Sequence, residues 1–142
     1  MNRFSLIASA CLVLAACGSN SPQSKATQAC TSMLGGDPEI EEDLAEDGKT
    51  LTAYCGCFGQ LLADQAEADQ TGILKVSETL SGIRDEKTLG LEEAAETLYR
   101  SFDGSTSSET YDVSMEEFEQ AGKYLDTVRR ELNKEESACP AS

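Results

Sequence analysis

Histidine and tryptophan are both missing from the 142 residues, prolines number only three, and 11 bases face 26 acids. Without histidine, no serine or cysteine can be paired with an imidazole base, so the common catalytic triad is impossible. A zinc site would have to take all four ligands from cysteines and carboxylates. The formal charge of −15 repels phosphate backbones and anionic lipid surfaces, which argues against a nucleic-acid partner. There is no glycine-rich phosphate loop, no internal repeat and no alternating strand pattern of useful length. Many carboxylates are present, but neither spacing nor an apolar setting singles out an acid–base pair. These absences predict a non-enzymatic chain that needs no cofactor.

Long apolar runs are scarce as well. The one run, residues 4–14, follows Met1-Asn2-Arg3 and leads into Leu14-Ala15-Ala16-Cys17. It falls short of the roughly 20 residues needed to span a bilayer. A basic start, a short apolar segment and small residues at its end form the pattern of an export signal. Leu14 is too large for the small-x-small site of ordinary secretory cleavage. The tetrad resembles the lipobox of bacterial lipoproteins of the Gram-negative envelope. That resemblance implies a diacylglycerol on the Cys17 thiol, cleavage before Cys17, and an acyl group such as palmitate on the new amino terminus. Three acyl chains hold a protein to a membrane almost permanently. Gly18, where an aspartate would signal inner-membrane retention, implies export to the outer membrane, facing the periplasm. The expected division is therefore 1–16 signal peptide (removed), 17–24 lipidated cysteine and flexible tether, and 25–142 helical domain.

Loss of residues 1–16 removes Arg3 but no acid, which leaves 10 bases against 26 acids. Such a charge keeps a domain soluble and also suits a cationic partner. Of six cysteines, Cys11 would leave with the signal and Cys17 would carry lipid, so Cys30, Cys55, Cys57 and Cys139 remain. An even number in a small exported domain predicts two disulfides. On a helix, Cys55 and Cys57 lie about 200° apart, so they cannot easily bond each other. Each is expected to reach a different distant cysteine, one Cys30 and the other Cys139, with the choice between them open. The alternative is a redox-active or metal-binding Cys55-Gly56-Cys57. It lacks a histidine or immediate basic neighbour, and only Met33 and Met115 could supply thioethers for copper.

Helical spacing dominates the rest. Ala26, Ala29, Cys30, Met33 and Leu34 share one face, stopped by Gly35-Gly36. Asp37-Pro38 predicts a capped second helix carrying Ile40 and Leu44 and stopped at Gly48. A third helix is expected over 50–68, a fourth through Ile73, Val76, Leu80 and Ile83, and a fifth through Leu91, Ala95, Leu98 and Phe102. Residues 103–108 read as a mobile surface loop. Ser114-Met115-Glu116-Glu117 predicts a capping box opening a last helix from Met115 to Leu132, with Pro140 ending ordered structure. The expected fold is all-α, a small bundle of about five or six helices stapled by two disulfides.

The stretch 37–47 holds seven carboxylates and no base. Set on a calcium-loop frame at Gly48, it offers Asp43 and Asp47 but puts Ala45 and Tyr54 at ligand positions, so a solvated helical face is expected instead. Together these features predict a membrane-anchored, non-enzymatic protein that binds or scaffolds an envelope component. The alternatives are an acidic inhibitor or immunity-type protein for a cationic enzyme or toxin, and thiol-redox or metal chemistry at Cys55 and Cys57.

Overall fold

The computed structural model describes residues 21–104 and 110–139. The signal segment, the Leu14–Cys17 tetrad, tether positions 17–20, loop positions 105–109 and Pro140 lie outside the described residues. The fold is all-α: α1 (Pro22–Leu34), α2 (Pro38–Glu46), α3 (Leu51–Ala63), α4 (Glu67–Lys87), α5 (Leu91–Phe102) and α6 (Met115–Leu132).

Local chemistry explains most helix ends. Asp37 caps α2, its Oδ1 accepting from the Glu39 and Ile40 amides at 3.1 and 3.4 Å. Thr50 caps α3 through the Ala53 amide. Ser114 and Glu117 form the expected reciprocal box at the start of α6, at 3.2 and 2.7 Å. Two boundaries differ from expectation. Residues 22–24, assigned to the tether, are the first turn of α1, because Ser21 accepts from the Ser24 amide and Pro22 sits where a helix tolerates proline. The expected helix over 50–68 is two elements, and the Gln70 side chain closes the break, its Nε2 donating to the Ala63 and Gln65 carbonyls.

α1 packs most extensively on α3, while α4 lies against both α1 and α6. The α1–α3 approach is close because Gly59 has no side chain. A Cβ there would stand 2.7 Å from the Gln23 carbonyl oxygen. Phe58, Met33, Leu62, Ile83, Leu98, Val76 and Val128 fill the core. Two tyrosines tie α3 to α6 reciprocally. Tyr54 donates to the Leu125 carbonyl at 3.0 Å, and Tyr124 donates to the Phe58 carbonyl at 2.6 Å. The Tyr124 ring also meets Phe58 edge-on at 5.0 Å.

Both disulfides radiate from α3. Cys55 bonds Cys30 on α1, with Cα atoms 5.5 Å apart, and Cys57 bonds Cys139 beyond α6, with Cα atoms 4.9 Å apart. The opposed directions of Cys55 and Cys57 therefore serve opposite sides of one helix. The Cys139 segment is also held by Gln60, which donates to the Ala138 carbonyl at 2.6 Å, and by Glu131, which accepts from the Ala138 amide at 3.0 Å.

Candidate binding cavity

Among the residues singled out from sequence, Cys17 lies outside the described residues. Cys30, Cys55, Cys57 and Cys139 are buried disulfide partners. The two thiols that redox or metal chemistry would use are thus each bonded to a distant cysteine rather than placed side by side.

The acidic stretch is less uniform than a solvated face. Glu39, Glu41, Glu42, Asp43, Glu46 and Asp47 are exposed, as expected, the last accepting from Arg129 at 3.1 and 3.0 Å, but Asp37 is buried. Asp37 caps two helices at once. Its Oδ2 accepts from the Leu91 amide at 2.7 Å, at the start of α5, while its Oδ1 caps α2. Arg84, near the end of α4, lies 3.7 Å from that Oδ2 and donates to the carbonyls of Met33, Gly35 and Leu89. One ion pair thereby joins the end of α1 and the starts of α2 and α5 to α4. Burial alone would raise the Asp37 carboxyl, but the Leu91, Ile40 and Glu39 amides and the Arg84 charge outweigh it and hold it below 3.8. Burial pushes the Tyr54 and Tyr124 hydroxyls well above 10.

A cavity of about 220 Å³ opens between α4, α5 and α6. Ile73, Val76 and Leu80 form its α4 wall, Leu91 and Ala95 its α5 wall, and Phe118, Gly122 and Leu125 much of its α6 wall. Ser77 and Glu119 are its two polar side chains. The Ser77 hydroxyl proton is committed to the Ile73 carbonyl at 2.9 Å. Glu119 is exposed and stands 3.7 Å from Lys123. A second cavity of about 170 Å³ shares Leu91 and Leu125 and continues toward Ile40, Leu44 and Tyr54.

The void arises because small residues meet where aromatic side chains hold two helices apart. α5 lies close against α4 and meets α6 chiefly through Tyr99 and Phe102, whose rings stand 6.3 and 5.8 Å from that of Phe118. Ala95, Ala121 and Gly122 contribute little or no side chain to the walls. Gly122 is exposed in mid-helix, and a Cβ added there would meet nothing within 4 Å. Alanine at such a position is better by roughly 0.5–1 kcal/mol, so glycine leaves helix stability unrealised. The cavity is open on its α6 side, where Gly122 and Glu119 are exposed. Enclosed apolar cavities of smaller volume take up small hydrocarbons. The helical stripes carry Ile73, Val76, Leu80, Leu91 and Ala95 but give no signal for the space between them. An Ala or Gly on a stripe reads equally as close helix approach or as a gap.

No protein-family model matches the chain, and no curated protein or solved structure matches it either.

Proposed function

We propose that this chain is a lipoprotein of a bacterial envelope, anchored through Cys17, whose acidic domain binds or scaffolds another envelope component without performing chemistry. The observation that carries the reading is Leu14-Ala15-Ala16-Cys17 at the end of a short apolar run behind Arg3. A polar stretch with one proline follows, and then a disulfide-stapled bundle, the kind of small fold that persists in an oxidising compartment. Gly18 favours the outer membrane, with the domain facing the periplasm. Intact mass spectrometry of unreduced protein from expressing Gram-negative cells tests the anchor. The expected mass lacks residues 1–16, carries three acyl chains, and shows no free thiol; a Cys17→Ser change abolishes acylation. An unacylated chain starting elsewhere refutes the anchor. Crosslinking in cells followed by capture tests the binding role, which fails if no reproducible envelope partner appears.

A second reading rests on the exposed acids Glu39, Glu41, Glu42, Asp43 and Glu46 along α2. They offer a cationic enzyme or toxin a surface for fast, salt-sensitive association. Lysozyme-like enzymes assayed with added protein at low and high salt test it, and unchanged rates refute it.

A further inference from the structure

We infer that the cavity between α4, α5 and α6 is a binding site for one medium-length alkyl chain bearing a neutral or cationic head. This inference stands apart from the membrane anchor and does not depend on it. Its first support is shape. The α4 wall runs from Ile73 to Leu80, about 10 Å along the helix. A volume of about 220 Å³ over about 10 Å gives a mean cross-section of about 20 Å², one extended hydrocarbon chain wide.

Its second support is wall chemistry. The Ser77 hydroxyl donates to the Ile73 carbonyl, so the interior offers an incoming group no side-chain donor. An acceptor group entering would lose its water hydrogen bonds without replacement, and a donor would find only the Ser77 oxygen, whereas methylene groups lose nothing. The cavity therefore selects a tail, and the polar part of the ligand must stay at the mouth.

Its third support is charge at that mouth. Glu119 is the charged wall residue, and the base beside it, Lys123, is already held at 3.7 Å. The exposed chain neighbours of the wall residues Leu91, Ala95, Leu125 and Gly122 are Glu92, Glu96, Asp126 and Lys123; Glu96 is paired with Arg100, which leaves an acidic balance along this part of the surface. A carboxylate head would meet like charge there, while an ammonium head would be attracted. Gly122 completes the picture by leaving an unobstructed, unstrained gap in the α6 wall.

The test adds octan-1-ol, octylammonium or octanoate, below their micellar concentrations and at neutral pH, to the disulfide-bonded full chain. Binding is followed by thermal shift and by NMR contacts to the Val76 and Leu80 methyl groups. Octanol and octylammonium are expected to bind, with octanoate weaker by roughly tenfold or more. Gly122→Leu, which plugs the gap, is expected to weaken octanol by roughly tenfold with helicity unchanged. Gly122→Ala leaves binding in place. Octanol that fails to bind up to its solubility, or binds Gly122→Leu equally well, overturns the site. Octanoate binding as tightly as octylammonium overturns the head-group assignment. If Gly122→Leu fails to fold, the NMR contacts in the unsubstituted chain decide, and their absence overturns the proposal.

Discussion

Removing the two disulfides one at a time separates loop closure from packing. Cys30–Cys55 closes 25 residues and Cys57–Cys139 closes 82. Loop-closure entropy assigns them about 3.5 and about 4.5 kcal/mol respectively, by restricting the unfolded chain. All four cysteines are buried, so paired alanine substitutions are the appropriate change; serine would bury a hydroxyl. The C-terminal segment stays seated in the Cys57→Ala/Cys139→Ala variant through the Gln60–Ala138 and Glu131–Ala138 hydrogen bonds. The longer loop should therefore yield the larger loss, by about 1 kcal/mol, roughly a fivefold change in the folding equilibrium. In urea titrations followed by far-ultraviolet circular dichroism, each variant should lose about 2 M in midpoint. The m-value should rise in both, more so for the 82-residue loop, because the released chain exposes more surface. A smaller loss for Cys57–Cys139 than for Cys30–Cys55, at comparable m-values, would refute the entropic account and place the stabilisation in the packed α1–α3 contact instead.

Within α3, Gly59→Ala should destabilise by about 2 kcal/mol or more, because its Cβ would collide with the α1 backbone, whereas Gly56→Ala, open to solvent, should stabilise by up to about 1 kcal/mol; thermal melts distinguish them. Asp37→Asn should lower stability at neutral pH and flatten the acid limb. The depressed carboxyl contributes fully above its ordinary value of 3.8, and the contribution is lost as pH falls through the lower folded-state value, so equal acid limbs in both proteins would sink the argument. Tyr54→Phe and Tyr124→Phe should each cost about 1 kcal/mol in urea titration. In the parent protein the raised tyrosine values make stability fall as pH rises past 10, because the unfolded chain releases those protons first. Alkaline melts that show no decline refute that linkage.

Where local chemistry has one meaning, the sequence was readable. The Ser114–Glu117 box combined with a stripe at steps of three and four predicts α6, which runs Met115–Leu132. Asp37-Pro38 likewise marks the start of α2. Ser21 and Pro22 are ambiguous because the same residues break a tether and open a helix, and here they open α1. The α3–α4 break was hidden because residues 64–66 contain neither glycine nor proline. Disulfide partnership followed from the opposed faces of Cys55 and Cys57, but the choice of partner needed the stripe. Cys55 shares the buried face of Tyr54 and Phe58, yet only the packing of α1 against it brings Cys30 there. Arg84 was invisible, since a base in the last turn of a helix reads as complementing the helix dipole. Its bonds to three carbonyls and to Asp37 arise only when four helices converge.

These placements imply an uneven distribution of stability, with α5 as the weak element. It lies inside the 82-residue loop but outside the 25-residue one, so a single distant cross-link constrains it. Its inward residues Ala94 and Leu98 are fully buried, but Leu91 and Ala95 border the cavity, and its contact with α6 runs chiefly through Tyr99 and Phe102 on the one ring of Phe118. The Leu91 amide bond to Asp37 is the polar tie at its start. α3, by contrast, carries both disulfides and both tyrosine ties. Hydrogen exchange should therefore show α5 amides opening well below the global unfolding free energy, while α3 amides exchange only through global unfolding. Octanol at ten times its dissociation constant should slow α5 exchange by roughly tenfold, if the open form of α5 cannot hold the ligand. It should slow α3 by the same factor, because global unfolding also releases the ligand. Equal protection of α5 and α3 without ligand would mean that the cavity does not weaken the α5–α6 seam, and the local-opening argument would fall.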